Sequence, residues 1–193
     1  KFGESQDFVY SRSNSPTKQD LEKLMANLEN GKYAYVFSSG MGATNAVLTL
    51  FQSGDHVIVG ADVYGGTYRI IKELYPKFGI DYTFVDTTEL KNIEDAIKEN
   101  TKAILVETPS NPLMDVTDIR GTVDIAKKHG IITVVDNTFL TPYLQKPLDL
   151  GADIVIHSAT KFLSGHHDII AGVVVTNDEE IGAKIKFAMR TAG

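Results

Sequence analysis

Residues 103–138 read AILVETPSNPLMDVTDIRGTVDIAKKHGIITVVDNT, and this stretch decides the fold. Ala103 to Val106 and Ile131 to Val135 are short aliphatic and β-branched runs without polar alternation, the pattern of strands buried on both faces. Between them, Asp118 to His129 carries a helical pattern that stops at Gly130. Strand, helix, strand predicts parallel neighbours joined by a crossover. Similar runs recur outward at Tyr35 to Phe37, His56 to Val59, Tyr82 to Val85, Ile154 to Ile156 and Val173 to Thr176. Helical spacing recurs too, as at Leu21, Leu24, Met25 and Leu28. The expected fold class is therefore α/β, with three layers (α/β/α) around a mostly parallel seven-stranded sheet. The last run alone is reached without a crossover helix, through an irregular Lys161 to Gly172 loop, and is the candidate for an antiparallel strand.

Composition narrows the function. The chain has 193 residues, 42% hydrophobic and 23% charged, which suits one compact domain with a core of its own. A net charge of -6 disfavours nucleic acid or an anionic membrane as the main partner. With no cysteine, disulfides, thiolate metal sites and cysteine nucleophiles are excluded, and a reducing compartment fits. Apolar runs fall far below the roughly 18 to 20 residues of a membrane helix. The polar amino end is unlike a signal peptide, so a cytoplasmic location is expected. Opening at Lys1 and stopping at Gly193 just past a helical pattern, the chain reads as part of a longer polypeptide.

In open α/β sheets ligands bind beyond the carboxyl ends of the strands. The segments that follow the runs are Ser38 to Ala43, Asp62 to Thr67, Glu107 to Pro112, Asp136 to Thr138 and His157 to Lys161. They bring polar, glycine-rich and titratable residues to one rim from five places, which makes an active site the leading reading. Gly40 to Ala43 opens a helix, where free amides and the helix dipole favour a phosphate; a plain strand-to-helix turn is the simpler alternative. A dinucleotide fingerprint is disfavoured, because Asn45 stands where its third glycine would be, although Asp62 matches its ribose-binding acid. Asp136, at the end of a buried run, needs a partner, such as a protonated pyridine nitrogen or a structural lysine. Lys161 follows a strand in the company of Ser158 and Thr160, both able to donate to a phosphate. His166, His167 and Asp168 lack metal-site spacing, so no metal is expected.

Taken together, six segments resemble the cystathionine-metabolism family of fold-type I pyridoxal-phosphate (PLP) enzymes: cystathionine γ-synthase, cystathionine β-lyase, cystathionine γ-lyase and methionine γ-lyase. They are Tyr10-Ser11-Arg12, Ser39 to Ala43, Asp62 to Thr67, Glu107 to Pro112, Val135 to Phe139, and Ser158 to Lys161 with Ser164-Gly165-His166. The resemblance implies a PLP cofactor held as a Schiff base by Lys161, which then carries protons. It pairs Asp136 with the ring nitrogen, stacks Tyr64 on the ring with a part in proton transfer at the leaving sulfur, and sets Asn111 at the phenolic oxygen. Gly40, Met41, Ser158 and Thr160 would bind the phosphate. Tyr10 and Arg12 would reach a neighbouring subunit's phosphate, which implies at least a dimer and usually a tetramer.

By the same resemblance, residues 1–16 form an amino-terminal arm that contacts the neighbour and residues 17–193 the PLP-binding large-domain core. A carboxyl-terminal small domain with the substrate-carboxylate arginine lies outside the chain. The early motif departs from the family's Gly-Asn-Pro-Thr, reading Asn14-Ser15-Pro16-Thr17. The implied activity is β- or γ-elimination, or γ-replacement, on a sulfur amino acid, as a carbon–sulfur lyase or transferase of transsulfuration or methionine biosynthesis. Gly66 stands where methionine γ-lyases tend to carry cysteine, which tilts the choice towards the cystathionine enzymes. Methionine γ-lyase or another fold-type I PLP enzyme, such as an aminotransferase, is the enzymatic alternative. The non-enzymatic one is a silent remnant or assembly subunit, against which the intact Lys161, Asp136 and Tyr64 argue.

Overall fold

A computed structural model describes residues 8, 10, 11 and 13–192. The strands are β1 (Tyr33–Phe37), β2 (His56–Gly60), β3 (Asp81–Val85), β4 (Thr101–Glu107), β5 (Ile132–Asp136), β6 (Ile154–His157) and β7 (Gly172–Thr176). The helices are α1 (Pro16–Leu28), α2 (Gly40–Leu48), α3 (Gly65–Arg69), α4 (Leu90–Asp95), α5 (Ile119–His129), α6 (Thr141–Leu144) and α7 (Glu179–Ala192). All seven expected strands are present in one sheet, in the order β1-β7-β6-β5-β4-β2-β3. β3, β2, β4, β5 and β6 pair in parallel, and β7 is antiparallel to both β6 and β1. β7 is thus the one reversed strand. Because no crossover helix precedes it, it starts at the rim where β6 ends, and the 158–171 connection stays on that rim.

Alternate strand residues feed two apolar layers. Val57, Val59, Leu105, Val134 and Ile156 pack with Val47, Leu48, Ile185 and Met189 of α2 and α7 on one face. Ile58, Ile104, Val106 and Val135 meet Ile119, Val123 and Ala126 of α5 on the other, where Val155, Val173 and Val175 meet Met25 and Ala26 of α1. Burial on both faces accounts for the unbroken apolar runs in the sequence. Helix α1 forms where its spacing predicts, with Ser15 as its cap accepting from the Lys18 amide at 3.2 Å and Pro16 in its first turn. Asn14-Ser15-Pro16-Thr17 therefore works here as a helix start. The apolar stripe of α1 is only partly used: Met25 is buried while Leu21, Leu24 and Leu28 stay exposed. Among the described residues, no helix is long and apolar enough to cross a membrane.

Candidate active site

The first turn of α2 lies at the rim between the exit of β6 and the entry of β7. The Ser39 hydroxyl caps the helix by accepting from the Gly42 amide at 3.0 Å, which leaves the Gly40 and Met41 amides outside the helical ladder. Gly40 packs directly on Ser158: a Cβ there would stand 2.7 Å from the Ser158 Cβ and 2.8 Å from its Oγ. Gly172 backs the same turn, and a Cβ on it would run into the Ser39 carbonyl. An anion at this helix start would meet the two amides and the Ser158 hydroxyl. Thr160 is differently engaged, since its hydroxyl donates to the Ala171 carbonyl and accepts from the Ala171 amide, both at 3.1 Å. It ties the start of the loop to Ala171, the residue before β7, and donating to a phosphate would cost it the carbonyl bond.

Two carboxylates stand side by side at the ends of β4 and β5, where Glu107 and Asp136 are register partners. Asp136 Oδ1 accepts from the Thr138 amide at 3.0 Å and the Thr138 hydroxyl at 2.5 Å. Glu107 Oε2 accepts from the Tyr64 amide at 2.7 Å. Burial pushes the Glu107 carboxyl up to about 7, and the negative charges of Asp136 and Asp62 add to the rise, while the amides of Tyr64 and Asn111 oppose it. Burial also pushes Asp136 upward, against the Thr138 hydrogen bonds and the His157 imidazole. Among the described residues neither acid forms an ion pair.

This arrangement predicts a pH effect in the cofactor-free protein. A carboxyl raised from 4.5 to about 7 on folding favours the fold fully below pH 4.5 and loses that advantage as pH rises through 7. Glu107→Gln cannot ionise, so its melting temperature relative to the parent should climb between those two values and stay higher above them. Melting curves below, within and above that window check this; an unchanged difference across it would rule out the assignment.

Gly40, Met41, Tyr64, Asn111, Asp136, Ser158, Thr160 and Lys161 all line one cavity of about 460 Å³, within the size range of small-molecule sites. Tyr64 and Asn111 stand on the side of β2 and β4, Gly40 and Met41 on the side of α2, and Lys161 on the loop from β6 to β7. Tyr10 does not line this cavity, is largely exposed, and accepts from the Ser13 and Asn14 amides through its carbonyl. Arg12 lies outside the described residues. The cavity also includes Thr44, Thr67, Glu107, Thr138, Phe139, Phe162, His167 and Ile170. Glu107 ends β4 and Thr138 stands two residues past β5, so the rim rule reaches them. Phe139, Phe162 and His167 form an edge-to-face row, with centroids 6.0 and 5.8 Å apart, that only the folded loop creates. Among the described residues, no cluster of three or more histidines and acids could hold a metal.

The donor set fits PLP. The tight Gly40–Ser158 approach brings together two amides and a hydroxyl that could take a phosphate. Asp136, anchored through one oxygen and without a cationic partner among the described residues, suits a protonated ring nitrogen. Layered sheet and cavity together are those of a fold-type I PLP-dependent enzyme. A solved structure of cystathionine gamma-lyase from Lactobacillus plantarum, complexed with L-serine, superposes with a TM-score of 0.94 at 48% identity, over 98% of this chain and 50% of that one. The family model for Cys/Met metabolism PLP-dependent enzymes matches residues 1–193, and the chain belongs to that family. It is 52% identical to the cystathionine gamma-lyase of Bacillus subtilis (strain 168) over 100% of its own length and 51% of that protein. It is 51% identical to the cystathionine beta-lyase of Lactococcus lactis subsp. cremoris (strain MG1363) over 99% of its length and 50% of that protein. The chain thus spans about half the length of the curated relatives it matches.

Proposed function

We propose that this chain carries the cofactor site of an enzyme that cleaves the carbon–sulfur bond of cystathionine-type amino acids, with Lys161 as the lysine that holds PLP. The observation that carries this reading is the cavity itself, which has Lys161, the Asp136 carboxylate and the first turn of α2 on its walls. When bound, PLP supplies the electron sink for bond cleavage next to the substrate's amino-bearing carbon. Around it, the Gly40 and Met41 amides with the Ser158 hydroxyl bind the phosphate, and Thr160 braces that cradle. Asp136 keeps a proton on the ring nitrogen, and Asn111 meets the ring's phenolic oxygen. Tyr64 covers the ring face and passes a proton towards the leaving sulfur. The Lys161 amine takes the proton from the substrate's α-carbon and returns it.

Gly66, at the position where methionine γ-lyases tend to carry cysteine, supports cystathionine over methionine. A Cβ there would stand 2.5 Å from Tyr64 Cε1 and 2.7 Å from Met41 Sδ, so a side chain at 66 would displace the Tyr64 ring. Tyr10 and Arg12 would serve a neighbouring subunit's phosphate in a dimer or tetramer, and the substrate-carboxylate arginine would come from a further, carboxyl-terminal domain. In hybrid dimers of full-length Arg12→Ala and Lys161→Ala variants, one site would again hold both residues.

Curated relatives of nearly equal identity include a gamma-lyase and a beta-lyase, so either side of the sulfur is open to cleavage. The test is an assay of the full-length protein on cystathionine with identification of the keto acid. Pyruvate marks β-cleavage and 2-oxobutyrate γ-cleavage; a PLP-loaded protein releasing neither would overturn the reading.

A further inference from the structure

Beneath the cavity lies a polar cluster that none of these steps uses. Glu29, the residue that closes α1, and His157, the last of β6, are both fully buried, and His157 Nε2 lies 2.6 Å from Glu29 Oε1. The same Glu29 oxygen accepts from Asn137 Nδ2 at 3.1 Å. Asn137 is held in turn by Gln145, whose Nε2 donates to Asn137 Oδ1 at 2.9 Å and to the Thr108 carbonyl at 3.0 Å. Among the described residues, Glu29 Oε2 and His157 Nδ1 have no hydrogen-bond partner. Burying a carboxylate and an imidazole with one atom of each unsatisfied is costly, and an apolar pair would pack this spot at less expense.

The connectivity shows what the cluster holds. His157 precedes Ser158, whose amide donates to Thr138 Oγ1 at 2.8 Å; that hydroxyl donates to Asp136 Oδ1 at 2.5 Å; and Asp136 precedes Asn137, which returns to Glu29. The chain of bonds closes into a ring. One oxygen of Glu29 therefore ties the residue beside Asp136 to the residue beside Ser158. Resting on the PLP reading above, we propose that Glu29 and His157 are a positioning pair that fixes Asp136 relative to Ser158. This sets the distance between the acid for the ring nitrogen and the seat of the phosphate. The His157 imidazole also acts on Asp136 through space, favouring its anion, so it supports the same carboxylate electrostatically.

The experiment uses the full-length protein and reads three things: folding by far-ultraviolet dichroism, the PLP dissociation constant, and the dichroism of the bound cofactor's visible band, which reports how the ring is held. Glu29→Leu should fold, bind PLP about 10- to 100-fold more weakly, the usual size of such outer-partner effects, and lose most of the visible dichroism. Glu29→Gln keeps an oxygen that can accept both bonds and should restore binding and dichroism to near the parent's. If Glu29→Leu does not fold, His157→Phe, which fills the same space without a nitrogen, should show the same loss. Parent-like affinity and dichroism in a folded Glu29→Leu or His157→Phe overturns the inference, as does a Glu29→Gln no better than Glu29→Leu. A parent protein that binds no PLP instead defeats the functional reading on which the pair depends.

Discussion

Borohydride treatment of the PLP-loaded full-length protein, followed by proteolysis and mass spectrometry, should place the cofactor's mass on the peptide containing Lys161 and on no other lysine. Lys161 enters the cavity wall from the turn after β6 with an exposed side chain, so its replacement removes no core contact. Lys161→Ala should fold with the parent's melting temperature in the cofactor-free state. It should retain PLP only loosely and lose at least about 10²- to 10⁴-fold in turnover, the contribution of one positioned proton carrier. An adduct on a different lysine, or a Lys161→Ala variant that turns over normally, would remove Lys161 from its role.

Asp136→Asn separates shape from charge. The asparagine Oδ1 can still accept from Thr138, so the end of β5 should keep its geometry. What it loses is the anion that, in the proposed site, would face the ring nitrogen. Breaking a buried charged pair by removing one partner costs about 3–5 kcal/mol. If that loss falls in the transition state, turnover drops by about 10²- to 10⁴-fold. PLP content should fall far less, because the phosphate seat and Lys161 are untouched. Equal losses in cofactor content and turnover would mean that Asp136 serves binding alone; unchanged turnover would show that the nitrogen has no need of it.

Much of this was legible in the sequence because buried parallel strands write themselves as unbroken apolar runs and because ligands gather at their carboxyl ends. Ile131 to Val135 followed by Asp136, and Ile154 to Ile156 followed by His157 to Lys161, announce both strand and site. The reversal of β7 was visible as a missing crossover helix. Less legible were roles that depend on what meets what across the chain. Glu29, at the end of α1, is buried against residues 137 and 157, and no local pattern encodes that. Thr160 reads as a phosphate donor, and the sequence does not reveal that its hydroxyl also bonds Ala171 at the far end of the same loop. Leu21, Leu24 and Leu28 have core-facing spacing and remain exposed, since spacing records periodicity and not which neighbours arrive to cover a face.

The slot that β7 fills has a consequence for the order of events as the chain is made. β2 to β5 are joined by local crossovers and can assemble as they emerge, whereas β1 must wait for β7, which pairs with it from the far end of the described chain. Until then β1 lacks its partner, the Ile154–His157 edge of β6 is open, and the turn at Ser39 and Gly40 has nothing behind it. A nascent chain therefore carries exposed strand edges until residue 176 has been made, an interval in which such chains aggregate or engage chaperones. The proposed phosphate seat of Gly40, Met41 and Ser158 gains its backing at Gly172 only with β7. Cofactor capture at that seat would then act as a latch on a finished sheet and not as the nucleus around which the sheet forms.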